Sequence, residues 1–207
     1  METAPVNMLP PLYLITDSAN FGAKRCAEVI EEILSGIPEH TLFVQMREKE
    51  LSGLGQFEFA RILREITGRY GAFLFINDRI DIAIAVNADG VHLGQTAITP
   101  LEARGIFNGF IGYSTHSIDE VRKANAEKAD FITFGPVFET PSKLKYGKPA
   151  GTDSLRRAVK AAEMPVYAIG GIKLSNIARL AESGIRGIAC ISALLKSDSP
   201  AEDALGM

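Results

Sequence analysis

The sequence predicts a single-domain α/β fold, a closed (β/α)8 barrel of the TIM type, and three observations carry the prediction. Eight short apolar runs recur along the chain. Helical periodicity fills most of the intervals between them. Glycines and polar residues of a site-building kind collect just past the C-terminal ends of the runs, where a parallel barrel carries its chemistry.

The first run is Leu12–Thr16, and Cys26, Val29, Ile30, Ile33 and Leu34 then repeat on one helical face with Glu28, Glu31 and Glu32 opposite. Leu42–Met46 follows, and after it a helix with Phe57, Ala60, Leu63, Arg64 and Thr67 on its inward face. Phe73–Ile76 leads to a short helix over Arg79–Val86, which Asp78 fits as an N-cap. Gly90–Leu93 and Phe110–Tyr113 are the fourth and fifth runs. The next helix carries Ile118, Val121 and Ala124 behind a Ser117-x-x-Glu120 capping box. Phe131–Phe134 opens into a long polar loop from Gly135 to about Thr152. Val166–Ile169 precedes a helix with Leu174, Ile177, Leu180 and Ala181, capped by Ser175 and stopped at Gly184. Gly187–Ile191 is the last run, and Pro200 breaks what remains, so the closing helix is short.

Continuous apolar runs suit strands buried on both faces of a parallel sheet, with right-handed crossovers between them. Eight units in 207 residues favour a barrel at its compact limit over a doubly wound open sheet. The open sheet would place a glycine-rich turn after its first strand, and Ile15-Thr16-Asp17-Ser18 is not one. No linker or low-complexity block divides residues 1–207.

Composition narrows the function. The chain is 46% hydrophobic and 23% charged, with a formal charge of -3. This excludes disorder and gives no basic footprint for nucleic acid. No run reaches the length of a membrane helix, and no charged leader precedes an apolar segment. Cys26 and Cys190 stand far apart, against a disulfide framework or a zinc site. The expectation is a cytoplasmic enzyme acting on small molecules, with no nucleic-acid or membrane partner; a homo-oligomer is compatible with the sequence.

Gln45, Arg47 and Lys49 alternate past the second run, so on a continuing strand they share a face suited to a phosphate or diphosphate. Ion pairs of the cations with Glu48 or Glu50 would be the bland alternative. Asp78, after Asn77, suits Mg2+ beside phosphate oxygens, or equally caps the next helix. Gly170-Gly171 and Ile191-Ser192 lie where barrel loops seven and eight often bind phosphate, and two tight turns would explain them as well. The loop after the sixth run, with Lys143, Lys145 and Lys148, reads as a lid over an anionic substrate or as a solvated loop. Of three histidines, His40 belongs to a bottom connection and His92 ends a buried strand; His116 is the acid/base candidate, with a capping role as its alternative.

Seven blocks resemble thiamine-phosphate synthases in order: Tyr13-Leu-Ile-Thr-Asp17, Gln45-Met-Arg-Glu-Lys49, Asn77-Asp-Arg79, Gly90-Val-His-Leu-Gly-Gln95, Ser114-Thr-His-Ser117, Phe134-Gly-Pro-Val-Phe138 and Ile169-Gly-Gly-Ile172. The resemblance implies a barrel that joins hydroxymethylpyrimidine diphosphate to hydroxyethylthiazole phosphate and releases pyrophosphate. It implies that the diphosphate leaves first and that the thiazole nitrogen captures the resulting pyrimidine-methyl cation. By position Arg47, Lys49, Asn77, Ser114 and Lys143 would hold the diphosphate, and Asp78 would ligate Mg2+. Gln45 would contact the pyrimidine diphosphate substrate, and Tyr13 would be a further substrate-binding residue; Thr140, Ser142, Gly171, Ile191 and Ser192 would bind the thiazole phosphate.

The chain departs from that pattern where a second magnesium-binding Asp is usual, which here is Ala97 after Thr96. Glu139 replaces a usual Pro and Ser142 a usual Thr. These changes resemble the sister thiazole tautomerases, which isomerise a carboxythiazole phosphate without metal and would use His116 as proton shuttle. A non-catalytic thiazole-phosphate binder is the third alternative. The retained Asn77-Asp78 pair and Gln-x-Arg-x-Lys run fit the synthase.

Overall fold

The computed structural model describes residues 9–140 and 149–207. Its eight parallel strands are β1 (Leu12–Ile15), β2 (Leu42–Met46), β3 (Leu74–Asn77), β4 (Gly90–Leu93), β5 (Phe110–Thr115), β6 (Phe131–Phe134), β7 (Val166–Ile169) and β8 (Gly187–Cys190). Each pairs with the next, and β8 returns to β1 with Tyr13 opposite Ala189, so the sheet closes and the open-sheet alternative is excluded. The strands are buried along almost their whole length, as continuous apolar runs require.

The helices are α1 (Ser18–Phe21), α2 (Ala23–Gly36), α3 (Gly53–Arg69), α4 (Ile80–Ala85), α5 (Pro100–Arg104), α6 (Ile118–Ala126), α7 (Gly151–Ala161), α8 (Ser192–Leu195) and α9 (Pro200–Leu205). In α2 the buried residues are the five apolar ones of the sequence pattern. In α3 the buried set is Phe59, Ala60, Leu63, Ile66 and Thr67; Phe57 and Arg64 lie at its margins instead. The helix expected around Leu174–Ala181 is a correction: only a 3-10 turn, Ile177–Leu180, forms there. Leu174 is 43% exposed, so the apolar repeat lacks a surface to bury against. Ser175 is no cap. Asn176 holds that segment, accepting from the Lys173 amide and donating to the Gly171 carbonyl.

Period-two alternation divides each strand between two cores. Leu12, Leu14, Val44, Leu74 and Ile76 face outward against the helices. Tyr13, Phe43, Phe75, Phe110, Phe131 and Tyr167 face inward and fill the lower barrel. Tyr13 stacks on Phe43 with ring centroids 3.8 Å apart, and Phe131 meets Tyr13, Phe43, Phe75 and Tyr167 edge to face. Leu9 closes the bottom, its carbonyl taken by Arg186, while Tyr167 donates to the Pro10 carbonyl. At the other end of the chain α9 lies against α2, where Ala201 meets Gly36.

Six aromatic rings fit this interior because inward glycines leave room for them. A Cβ on Gly90 would stand 2.1 Å from a Phe75 ring carbon, and one on Gly112 would stand 2.4 Å from Phe131 and 2.7 Å from His92 Nδ1. Among the described residues no helix is long and apolar enough to cross a membrane.

Overpacking such a site costs about 1–3 kcal/mol. Gly90→Ala is therefore expected to lower unfolding free energy by about that amount in urea titrations, and Phe75→Leu in the same chain to restore part of it. An unchanged midpoint would contradict this packing.

Candidate active site

Above the aromatic layer the inward positions turn polar. Gln45, Asn77, His92, Ser114 and Thr133, two residues beyond Phe43, Phe75, Gly90, Gly112 and Phe131 on their strands, continue the same inward rows. Gln45 is 1% exposed, and its Nε2 donates to Asn77 Oδ1 at 2.8 Å. Asn77 Nδ2 donates to Asp78 Oδ2 at 2.8 Å, and Asp78 Oδ1 accepts the Gly94 amide at 2.8 Å. This relay ties β2, β3 and the end of β4 together. Gln45 Oε1 is buried without a hydrogen-bond partner. A group of that kind costs stability unless a ligand donates to it.

Asp78 is no helix cap, which corrects that alternative: Arg79 is the N-cap of α4 and Asp78 sits at φ 58°. Arg79 instead grips Asp81 with two nitrogens and reaches Gln56, so it leaves the Asp78 carboxylate to the site.

The ion pairs with Glu48 or Glu50 do not form. Glu48 is 7% exposed and engaged elsewhere: it accepts from the Thr16 hydroxyl at 2.5 Å and from the amide and hydroxyl of Ser18. Thr16 Oγ1 in turn accepts the Arg47 amide at 3.0 Å. This clamp fixes the backbone from which Arg47 leaves. In the sequence Glu48 suggests only an ion-pair partner for the cations; its signal as a clamp is a carboxylate between two cations, two residues past the strand. Among the described residues the side chains of Arg47 and Lys49 have no hydrogen-bond or ion-pair partner.

His92 is 2% exposed and joins the two layers. Tyr13 lies 3.2 Å from its Nδ1, and Nε2 lies 3.0 Å from Ser114 Oγ. Burial, with the neighbouring Tyr167 second, raises the Tyr13 phenol well above its ordinary pKa, so Tyr13 is a donor. His92 Nδ1 therefore accepts, its Nε2 carries the proton, and Ser114 receives that hydrogen bond. The Ser114 hydroxyl proton is left to point toward a ligand. Burial, and after it the Arg47 charge, pulls the His92 pKa down to about 3.

Tyr13 itself is 0% exposed and meets the polar layer only through His92. Gln95 folds back, its side-chain nitrogen donating to the Ser114 carbonyl and its oxygen accepting from Tyr113. Ala97 closes that turn by donating its amide to the Gly94 carbonyl.

Past β5, His116 is exposed and its Nδ1 donates to the Gly135 carbonyl at 2.5 Å, leaving Nε2 without a partner among the described residues. The Ser117 hydroxyl caps α6, but Glu120 returns to the His116 amide rather than to Ser117. Gly170 and Gly171 have φ +97° and +67°, and a Cβ on Gly171 would stand 2.4 Å from the Glu139 carbonyl, so packing against the β6–α7 connection demands glycine there. The amides of Gly171 and Ser192 have no acceptor among the described residues. Ile191 is half-buried and precedes α8, while Thr140 ends the described part of the loop. Ser142, Lys143 and Lys145 lie outside the described residues, as does Lys148. A cleft of about 400 Å³ opens between the loops after β6 and β7, beside Gly171, Lys173 and Arg179. It lies to one side of the Gln45–Asn77–Asp78 relay, none of whose residues line it.

Three comparisons bear on this arrangement. Residues 12–194 match the family model described as thiamine monophosphate synthase. The thiamine-phosphate synthase of Archaeoglobus fulgidus is 41% identical over 189 residues, covering 91% of this chain and 87% of that protein. The thiamine-phosphate synthase of Clostridium novyi is 40% identical over 190 residues, covering 90% and 91%. A solved thiamine phosphate pyrophosphorylase from Pyrococcus furiosus superimposes with a TM-score of 0.85 at 34% identity, over 97% of this chain and 94% of that one.

The His92 assignment sets a pH dependence. The unfolded chain takes up a proton on this side chain near pH 6.5, whereas the folded protein resists it down to about pH 3. Stability is then complete above about pH 6.5 and falls as pH drops, by at most about 1.4 kcal/mol per unit from this group. Urea unfolding at about pH 7 and about pH 5 is expected to show a steeper loss for the wild type than for His92→Gln. Parallel losses would contradict a neutral, buried His92.

Proposed function

The chain belongs to the thiamine monophosphate synthase family, and on that premise we propose that it joins hydroxymethylpyrimidine diphosphate to hydroxyethylthiazole phosphate, giving thiamine phosphate and pyrophosphate. The observation that carries the reading is the buried Gln45 Oε1 without a hydrogen-bond partner, on the strand whose end carries Arg47 and Lys49, both without an ion-pair partner among the described residues. A ligand that satisfies all of them presents an N–H to Gln45 and several anionic oxygens to the cations, as an aminopyrimidine diphosphate does.

In the reaction the bond between the pyrimidine methylene and the diphosphate oxygen breaks, and its electron pair stays with the diphosphate. The electron-poor methylene is captured by the lone pair of the thiazole nitrogen, which forms the new C–N bond, and pyrophosphate departs. Catalysis here is chiefly electrostatic: Arg47, Lys49 and the Ser114 hydroxyl donate toward charge that grows on the leaving group. Lys143 is expected to add a further cation. Gln45 and Asn77 orient the pyrimidine side, with Tyr13 acting through His92. Gly171, Ile191 and Ser192 hold the thiazole phosphate through free amides, with Thr140 and Ser142 contributing hydroxyls.

Asp78 is a hard oxygen donor whose two oxygens each accept one hydrogen bond in the described structure, which leaves lone pairs for a cation. It fits Mg2+, which takes one or two carboxylates and completes its shell with phosphate oxygens and water. When bound, Mg2+ would help neutralise the diphosphate.

One observation favours the tautomerase reading. His116 is held through Nδ1 by the Gly135 carbonyl, which leaves its Nε2 free among the described residues to meet a ligand, the placement a proton shuttle needs. The two readings separate by residue. Asp78→Ala is expected to lower kcat/KM for Mg2+-dependent thiamine phosphate formation by about 100-fold or more, and His116→Ala by less than about 10-fold. Absence of product from the wild type, with isomerisation of a carboxythiazole phosphate that His116→Ala abolishes, would overturn the synthase.

A further inference from the structure

We propose that Glu48 is a positioning residue for the diphosphate, an acid that strengthens the hold of Arg47 and Lys49 on an anion by fixing the backbone that carries them. The inference rests on the synthase reading above and adds to it a residue that acts through those two cations.

Glu48 stands between Arg47 and Lys49 in the chain, with Glu50 just beyond. By charge alone a carboxylate there opposes an anion twice, by repelling it and by pairing with either cation. No such ion pair forms among the described residues. Glu48 turns instead to the segment after β1. Its Oε1 accepts the Thr16 hydroxyl at 2.5 Å, and its Oε2 accepts the Ser18 amide at 3.0 Å and the Ser18 hydroxyl. Thr16 is wholly buried and uses both capacities of its hydroxyl, donating to Glu48 and accepting the Arg47 amide at 3.0 Å. The Thr16 amide donates to the Gln45 carbonyl at 2.9 Å and closes that ring.

The other side of the same turn is held from α3. Gln56 Nε2 donates to the Glu48 carbonyl at 2.8 Å and to the Leu51 carbonyl at 3.1 Å, and its Oε1 accepts from Arg79 at 3.1 Å. The backbone from Arg47 to Leu51 is thereby tied at once to the segments after β1 and β3. A long cationic side chain loses rotamer freedom when it closes on an anion, and a fixed root confines that loss to the side chain. Misplacement by about 1 Å can cost about 100-fold where a reaction depends on geometry. Charge and placement therefore pull in opposite directions at Glu48. Its side-chain contacts decide for placement, since each goes to a neutral donor after β1.

Calorimetric binding of inorganic pyrophosphate in the presence of Mg2+ tests the sign. It is measured on wild type, Glu48→Gln, Thr16→Val and the double variant, each checked for folding by circular dichroism. Glu48→Gln removes the charge at nearly constant size and is expected to weaken pyrophosphate about 10-fold. Thr16→Val keeps the Glu48 charge but removes both hydrogen bonds of the hydroxyl, and a similar loss is expected. The double variant should be little worse than either single one, because both break one link. In steady-state assays the loss should fall on the pyrimidine diphosphate, with KM for the thiazole phosphate within about 2-fold of wild type. General loss of structure would not spare that second constant. Tighter pyrophosphate binding by Glu48→Gln would reveal a competing charge and overturn the inference, leaving the synthase reading intact. Unchanged affinity in both single variants would overturn it in the same way. Failure of the wild type to bind pyrophosphate at all would overturn the inference and the synthase reading together.

Discussion

The hydrogen bond from Tyr13 to His92 joins the two halves of the barrel interior, and both halves depend on it. Below it lies a column of packed aromatic rings that excludes water. Above it lies a set of amide, imidazole and hydroxyl groups that must each find a partner. Tyr13 can serve both because its ring stacks on Phe43 while its hydroxyl meets Nδ1. Fixing that one proton fixes the imidazole tautomer, and through it the direction in which Ser114 donates. Gly112 protects the arrangement, since any side chain there would collide with both Phe131 and His92.

Electrostatics at the mouth follow from the same economy of partners. Glu48 could have neutralised Arg47 or Lys49, but it binds Thr16 and Ser18 and so stiffens the backbone beneath them. Arg79 could have neutralised Asp78, but it closes on Asp81. Among the described residues Arg47, Lys49 and the Asp78 carboxylate are thereby kept out of ion pairs, and the two cations are left to meet an anionic substrate. Neutral His92 fits this setting, because a buried positive charge there would lose hydration and be repelled by Arg47.

Much of the fold was legible because each strand is a continuous apolar run, and each main helix shows a single apolar stripe, as Cys26 to Leu34 do in α2. The helix after β7 was misjudged because an apolar repeat forms a helix only where a surface receives it, and Leu174 finds none. Asp78 was read as a possible cap on spacing alone; its positive φ and its bond to Gly94 come from the β3–β4 pairing, which no local pattern contains. The strand-end residues of the site were visible as a set, since the barrel rule locates them. Their division of labour was not, because Glu48, Thr16 and Tyr13 act through partners 30 or more residues away.

On the proposed function, the inward polar layer at the ends of β2 to β5 receives the pyrimidine diphosphate, while the loops after β7 and β8 receive the thiazole phosphate. Hydrogen exchange followed by mass spectrometry, with each substrate added separately, distinguishes the two surfaces. The diphosphate is expected to slow exchange in peptides spanning Gln45–Lys49, Asn77–Arg79 and His92–Gln95, and the thiazole phosphate to slow it around Gly171 and Ser192. Protection confined to the bottom loops, or the same peptides protected by both substrates, would refute this division of the site.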